Sequence, residues 1–258
     1  MAVANPYIFF RKTVKYLNKT ELKLEFEVIN TETKGLPVII VAAGSSSRMQ
    51  GINKQFLTLG DKPVIVKTLL AFEKSKYISR IILVTRKEDI FALQLLAEEY
   101  SVSKLTDIVE GGNNRQESVL QGFGRLSTDE YAVLIHDGAR PFVTDDIIGA
   151  VAENLNSYPA VTCGVKVKDT IKQITTDGVV EKTLQRDTLF AVQTPQGVKT
   201  SEYKDALNKV GDLSLFTDDT SIMESAGYTV KCVEGSYRNI KITTPEDIVI
   251  AESYLKEF

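Results

Sequence analysis

Three stretches of this chain set charged residues beside glycines in patterns able to hold a polyphosphate. In PVIIVAAGSSSRM, Pro37 to Met49, an apolar run ends in Ala42, Ala43 and Gly44, followed by Ser45, Ser46, Ser47 and then Arg48. Gly44 has no Cβ to keep a ligand from its amide, and successive loop amides form an anion nest. Arg48 and, six residues later, Lys54 add two cations. Residue types alone equally allow a tight turn with a surface Arg and Lys. The stretch is neither a P-loop, which needs Gly-Lys-Ser/Thr opening a helix, nor the dinucleotide fingerprint G-x-G-x-x-G.

The second stretch is EGGNNRQESVLQG, 110–122. Gly111 and Gly112 let a flat ligand such as a base lie against the backbone, and Ser118 falls near the first turn of the helix that starts at Arg115. A plain Gly-Gly-Asn-Asn turn is the competing reading. The third is LIHDGARPF, 134–142, in which an apolar strand ends in His136 and Asp137, then Gly138 and Arg140. A carboxylate at the carboxyl end of a strand is a natural ligand for Mg²⁺ or a sugar hydroxyl, and Arg140 suits a phosphate. His136 points opposite to Asp137 and reads as a structural histidine rather than a general base.

These loops need a scaffold. From Pro37 onward the strands are short, continuous and apolar: 38–43, 80–85, 105–110, 131–136 and 160–167. Helical segments 63–75, 87–100, 115–126 and 144–156 lie between them. Such alternation predicts an α/β fold, a Rossmann-like, mostly parallel twisted sheet covered by helices on both faces. Ligands bind such sheets beyond the carboxyl ends of the strands, so the loops after 43, 85, 110 and 136 should converge. Past Lys166 two alternating runs flank Asp177-Gly178, a hairpin signal. The chain closes with helix TDDTSIMESA, strands YTVKCVE and NIKIT, and helix TPEDIVIAESYL. Residues 1–36 differ in style and read as an N-terminal appendage. YIFFRKTVKYL is read as a short amphipathic helix, and TELKLEFEVIN alternates strictly, as a half-exposed strand does.

Composition narrows the function. The 258 residues are 43% hydrophobic and 25% charged, with net charge −3. That balance lacks the basic footprint of a general nucleic-acid binder. A single histidine excludes a His-rich metal site, and no apolar run approaches a membrane span. Two cysteines, Cys163 and Cys232, are too few for a disulfide framework and are read as reduced core residues of a cytoplasmic protein.

The ordered motifs AAGSSSRM, NKQFL, EGGNNRQESV, HDGARP, KDT, QRD, QTPQ, FTDD and NIKIT resemble those of the 2-C-methyl-D-erythritol 4-phosphate cytidylyltransferase family. The likeness runs from residue 37 to about 256, and implies a nucleotidyltransferase domain over 37–258. It implies a reaction in which CTP and a polyol phosphate bind with Mg²⁺, a phosphate oxygen attacks the α-phosphorus, and pyrophosphate leaves. A phosphate monoester is already a competent nucleophile near neutral pH, so no strong base is needed. The transfer then rests on positioning and charge stabilisation.

Carried over residue by residue, the resemblance gives Arg48, Lys54, Arg186 and Lys241 the catalytic roles. Arg48 and Lys54 embrace the triphosphate; Arg186 and Lys241 hold the acceptor phosphate. Ala42, Ala43, Gly44, Ser45, Gly112, Asn113, Ser118, Asp137 and Gly138 line the nucleotide pocket. Asp137, Arg140, Thr170, Thr194 and Thr217 join Arg186 and Lys241 around the polyol phosphate, and Asp137 is a candidate metal ligand. The hairpin, about 167–188, becomes an arm clasping a second subunit, so Thr170 and Arg186 serve the neighbour's site and the protein is a homodimer with composite sites. Many relatives carry a glycine where Ser46 stands, and residues 1–36 have no counterpart in the usual pattern. A ribitol 5-phosphate cytidylyltransferase would use the same nucleotide loops, and a non-catalytic nucleotide-binding module is the alternative from another class. The latter would be expected to have lost Arg48, Lys54 or Lys241; all three are present.

Overall fold

The computed structural model describes residues 8–18, 21–30, 35–44 and 53–256. Its contacts divide the chain into two units, Met1–Gly35 and Leu36–Phe258. In the first, strand β1 (Ile8–Asn18) pairs antiparallel with β2 (Glu21–Asn30), with Phe10 opposite Val28 and Val14 opposite Leu24. The helix expected over YIFFRKTVKYL is therefore a strand. Its β-branched and aromatic residues, Ile8, Phe10, Val14 and Tyr16, recur at period two, and a matching strand follows at once.

The second unit is built on β3 (Leu36–Val41), an inner strand of a seven-stranded sheet. A two-stranded ribbon, β4 (Thr58–Leu59) and β5 (Lys62–Pro63), leads into helix α1 (Val64–Lys74). Then come β6 (Ile78–Thr85), α2 (Ile90–Glu99), β7 (Leu105–Glu110), α3 (Arg115–Phe123), β8 (Ala132–Asp137), α4 (Asp145–Asn154) and β9 (Ala160–Lys166). A hairpin of β10 (Lys172–Ile174) and β11 (Val180–Thr183) follows, turning at Gly178 with φ +86°. The chain ends with β12 (Phe190–Lys199), α5 (Thr200–Lys209), α6 (Asp219–Ser225), β13 (Val230–Glu234) and α7 (Pro245–Leu255).

The sheet order is β13-β9-β12-β8-β3-β6-β7. Within it β12 runs antiparallel to both neighbours, and every other pairing is parallel. From β3 the chain first builds outward to β6 and β7, then crosses to β8 on the other side. The order thus reverses between β3 and β8, the switch point at which open α/β sheets bind ligands.

Alternation along β3 shows why both faces must be covered. Val38 and Ile40 pack with Leu69, Phe72, Leu93 and Ile148 from α1, α2 and α4. Ile39 packs the other way, with Val119, Tyr203 and Ile222 from α3, α5 and α6. Helix starts follow local chemistry: the Asn114 side chain accepts from the Glu117 amide, Thr144 from Ile147, and Thr244 with Asp247 forms a reciprocal capping box before Pro245.

Two further sequence expectations are corrected. The segment 239–243 is not a strand: Ile242 donates its amide to the Ala139 carbonyl at 2.8 Å, and the chain then caps α7. Cys163 is buried, whereas Cys232 is exposed, because β13 is an edge strand with only β9 beside it. Both thiols are free.

Candidate active site

The loops after β3, β7 and β8 converge on a crevice of about 320 Å³ at the switch point; the loop after β6, expected to join them, does not line it, and its Arg86 pairs with Asp89 instead. Val41 pairs in register with Asp137, so the first loop and the acidic strand end leave the sheet side by side. The crevice wall includes Ala43, Gly44, Lys54, Gly112, Asn113, Ser118, Asp137 and Lys241 among the residues singled out in the sequence. Ala42 and Gly138 sit directly behind: Gly138 donates its amide to the Val41 carbonyl at 2.8 Å, and a Cβ on it would meet that of Ala42 at 3.1 Å. Arg48 and Ser45 lie outside the described residues.

Asp137 is the electrostatic centre. Lys241 Nζ lies 3.0 Å from its Oδ2, Arg140 Nε 3.4 Å from the same oxygen, and Arg115 Nε 3.4 Å from Oδ1. Burial alone would raise the Asp137 carboxyl, but the charges of Lys241, Arg115 and Arg140 overcome it and hold the group well below the usual carboxylate range. Its backbone is fixed too, since the Asp137 amide donates to Thr194 Oγ1 at 3.1 Å. Arg140 is held by a second bond, from Nη1 to the Asn239 carbonyl at 2.8 Å.

His136 faces away from the crevice. Its Nδ1 is 3.0 Å from Thr194 Oγ1, its Nε2 3.2 Å from the Arg140 carbonyl, and its ring meets Phe72 edge-on at 4.8 Å. The Arg140 carbonyl can only accept, so Nε2 of the neutral ring carries the proton and donates to it, and Nδ1 accepts from the Thr194 hydroxyl. Burial pushes the imidazole down to about 3, so it is neutral and structural, as its strand position suggested.

The wall around the glycine turn owes its shape to α3. Ser118 Oγ accepts from the Gly112 amide at 3.1 Å and donates to the Asn114 carbonyl at 2.8 Å. Glu117 Oε2 accepts from both the amide and the side chain of Asn113, at 2.8 and 2.9 Å. Gly111 has no room for a side chain, because a Cβ there would fall 2.4 Å from that of Ala43. The Ser118 hydroxyl therefore organises the glycine turn.

Arg115 and Gln55 also line this wall, though the sequence marks Arg115 only as a helix start. Gln55 follows Lys54 in the same loop, and its Oε1 is buried without a hydrogen-bond partner among the described residues. Conversely, Arg140, Thr170, Arg186, Thr194 and Thr217 do not line the crevice; Arg140 and Thr194 stand behind it, bonded to Asp137. Thr170 and Arg186 are exposed on and beside the β10–β11 hairpin, where Arg186 Nη1 donates to the Lys168 carbonyl at 3.1 Å. Thr217 is exposed next to Phe216, whose carbonyl accepts from the Gln116 side-chain amide. A larger cavity of about 540 Å³ lies between α2 and edge strand β7 and includes none of the residues singled out for chemistry.

The sequence model of the family described as 2-C-methyl-D-erythritol 4-phosphate cytidylyltransferase (IspD) matches residues 36–257. The chain belongs to this family. Family members of that name are similar along almost their whole length. The one from Clostridium novyi (strain NT) is 47% identical over 221 residues, 84% of this chain and 95% of that protein. The one from Halalkalibacterium halodurans is 46% identical over 222 residues, 85% and 96% respectively. Among solved structures, 4-diphosphocytidyl-2C-methyl-D-erythritol synthase from Anaerococcus prevotii DSM 20548 superposes with TM-score 0.76 at 34% identity, covering 87% of this chain and 97% of that one. The IspD sheet, mostly parallel and flanked by helices, is thus the fold expected from the sequence. No helix among the described residues is long and apolar enough to cross a membrane.

Proposed function

We infer that this chain transfers a cytidylyl group from CTP to 2-C-methyl-D-erythritol 4-phosphate, giving 4-diphosphocytidyl-2-C-methyl-D-erythritol and pyrophosphate, a step in non-mevalonate isoprenoid precursor synthesis. The observation that carries this reading is the crevice in which Lys54, Asp137 and Lys241 meet beside the Gly111–Gly112 turn, in a chain of the IspD family. Ala43, Gly44 and the turn take the nucleotide; Lys54 and Arg48 take its phosphates. Lys241 takes the acceptor phosphate with the Arg140 charge beside it, and Thr194 serves from behind by fixing the Asp137 amide. A phosphate oxygen of the acceptor forms the new bond to the α-phosphorus. The bond from that phosphorus to the bridging oxygen breaks, and pyrophosphate leaves with the electron pair. No side chain has to take a proton, which fits a crevice whose neighbouring histidine is neutral and turned away.

The donor set fits Mg²⁺ borne by the nucleotide. Mg²⁺ commonly takes one or two carboxylates plus substrate phosphates, and Asp137 supplies one carboxylate. Among the described residues no cluster of three or more His, Cys, Asp or Glu offers a resident cage. When bound, the ion would neutralise charge on the triphosphate; Asp137 would hold it.

The β10–β11 hairpin is read as an arm that joins two chains in a homodimer. In support, Ile174, Val179 and Val180 are all more than half exposed on it, a costly display for a monomer. Thr170 and Arg186 would then complete the neighbour's crevice. Free thiols at Cys163 and Cys232 agree with a cytoplasmic location.

The test is pyrophosphate release from CTP with 2-C-methyl-D-erythritol 4-phosphate and ribitol 5-phosphate offered in turn, with Mg²⁺ and with a chelator. Metal-dependent turnover of the methylerythritol substrate is expected. Preference for ribitol 5-phosphate would reassign the acceptor, and tight CTP binding without turnover of either would make the chain a binding module.

A further inference from the structure

Arg115 makes a contact that phosphate binding does not explain. While its Nε meets Asp137, its Nη1 donates to Asp219 Oδ2 at 2.7 Å. Asp219 opens α6, is fully buried, and does not line the crevice. Its Oδ1 accepts from the Tyr203 hydroxyl at 2.9 Å, and its amide donates to Gln196 Oε1 at 3.0 Å. A buried carboxylate of this kind is costly, and an apolar pair of similar size is often as stable. What the ion pair does provide is direction: it fixes a guanidinium whose other edge faces the Asp137 carboxylate.

The two oxygens of Asp137 are held differently. Oδ2 is shared by Lys241 and Arg140, and Oδ1 is held by Arg115. Lys241 keeps about a third of its side chain exposed, whereas Arg115 is tied at its far end to the buried Asp219. We propose that Arg115, anchored by Asp219 and Tyr203, is a positioning residue for cytidylyl transfer: it keeps the Asp137 carboxylate oriented through Oδ1 when Lys241 turns from Oδ2 to the acceptor phosphate. This rests on the acceptor-binding role given to Lys241 above. A lysine at 115 keeps the charge, but a single ammonium lacks the planar fork that spans two carboxylates.

The experiment compares Arg115→Lys, Asp219→Asn and Tyr203→Phe with the full-length parent, reading kcat, KM for CTP and melting temperature. Arg115→Lys should lower kcat about 30-fold or more while KM for CTP stays within about threefold, the pattern of lost transition-state positioning. Asp219→Asn should lower kcat about tenfold although it lies outside the crevice, and Tyr203→Phe by a smaller factor in the same direction. In an Asp137→Asn background the Arg115→Lys change should cost less than about twofold, because the group it positions has gone. Should Arg115→Lys fail to fold, Tyr203→Phe, which removes one hydroxyl, carries the same cycle. The contact is also read without turnover: the Arg115 Nε–H resonance, assigned by its loss in Arg115→Lys, should shift in both Asp137→Asn and Asp219→Asn.

Undiminished loss in the Asp137→Asn background would mean that Arg115 touches the substrate itself and would overturn the proposal. So would unchanged kcat in folded Arg115→Lys or Tyr203→Phe with Asp219→Asn, or an effect confined to KM. A parent protein inert towards every polyol phosphate would remove the reaction and this proposal together, whereas an active parent with indifferent variants sinks the proposal alone.

Discussion

Lys241 Nζ and Asp137 Oδ2 form a 3.0 Å ion pair across the crevice, joining the loop before α7 to the end of β8. The cation assigned to the acceptor phosphate is thus also the closest of the three partners of the buried carboxylate. Lys241→Ala should cut kcat by about a hundredfold, the usual scale for one lost charge-stabilising group. It should also raise KM for the polyol phosphate more than KM for CTP. Steady-state kinetics with each substrate varied in turn checks this; equal increases in both constants would contradict the assignment.

The Gly111–Gly112 turn, assigned above to the nucleotide, predicts a different pattern. Gly111→Ala would drive a Cβ to 2.4 Å from that of Ala43, so the turn must shift. Such overpacking costs about 1–3 kcal/mol. Ser118→Ala removes one acceptor and one donor from the same turn, worth about 1 kcal/mol each. Both variants should weaken CTP binding about tenfold in calorimetry and leave KM for the polyol phosphate nearly unchanged.

The pH dependence of stability should carry the signature of His136. Its folded-state value, about 3, lies below the ordinary value of 6.5. Between those two the unfolded chain binds a proton that the folded chain does not. Stability from this group is therefore complete above pH 6.5 and is lost as pH falls toward 3. Thermal melts should show a falling midpoint below neutrality. In His136→Gln the fall should be shallower between about pH 6.5 and 5, where only histidine titrates at its ordinary value.

Composite sites can be tested by mixing. If Arg186 serves the neighbouring crevice, a heterodimer of Lys54→Ala and Arg186→Ala chains holds one intact site and one doubly altered site. Random pairing of the two nearly inactive proteins should then restore about a quarter of parental activity, by the statistics of a two-fold dimer. Heterodimers that form and stay inactive would rule out the shared site.

Much of this was legible in the sequence because strands covered on both faces are continuous apolar runs, as Val38–Val41 and Ile81–Val84 are. Glycines and charges then mark where those runs stop. The antiparallel strand β12 was hidden by Pro195, which cannot donate to a sheet ladder; the register shifts between Gln193 and Gln196 to admit it. Ile240 and Ile242 imitate a strand by their spacing, yet the Ile240 amide turns back to the Arg238 carbonyl and the Ile242 amide goes to Ala139, which is no ladder. Arg115 could not be read at all, because its anchor Asp219 lies 104 residues further along the chain. Which cations reach Asp137 is likewise a product of the strand order.

The β10–β11 hairpin leaves the molecule from the end of one continuous ribbon. Phe190 still pairs with Lys166 where β9 and β12 part, and the same ribbon holds Thr194 against the Asp137 amide further in. Residues can therefore be added or removed at the tip without slipping any pairing in the seven-stranded sheet. Reach then becomes a quantity that can change separately from the crevice: the projection can be lengthened or shortened while Asp137 and its partners stay where the sheet puts them.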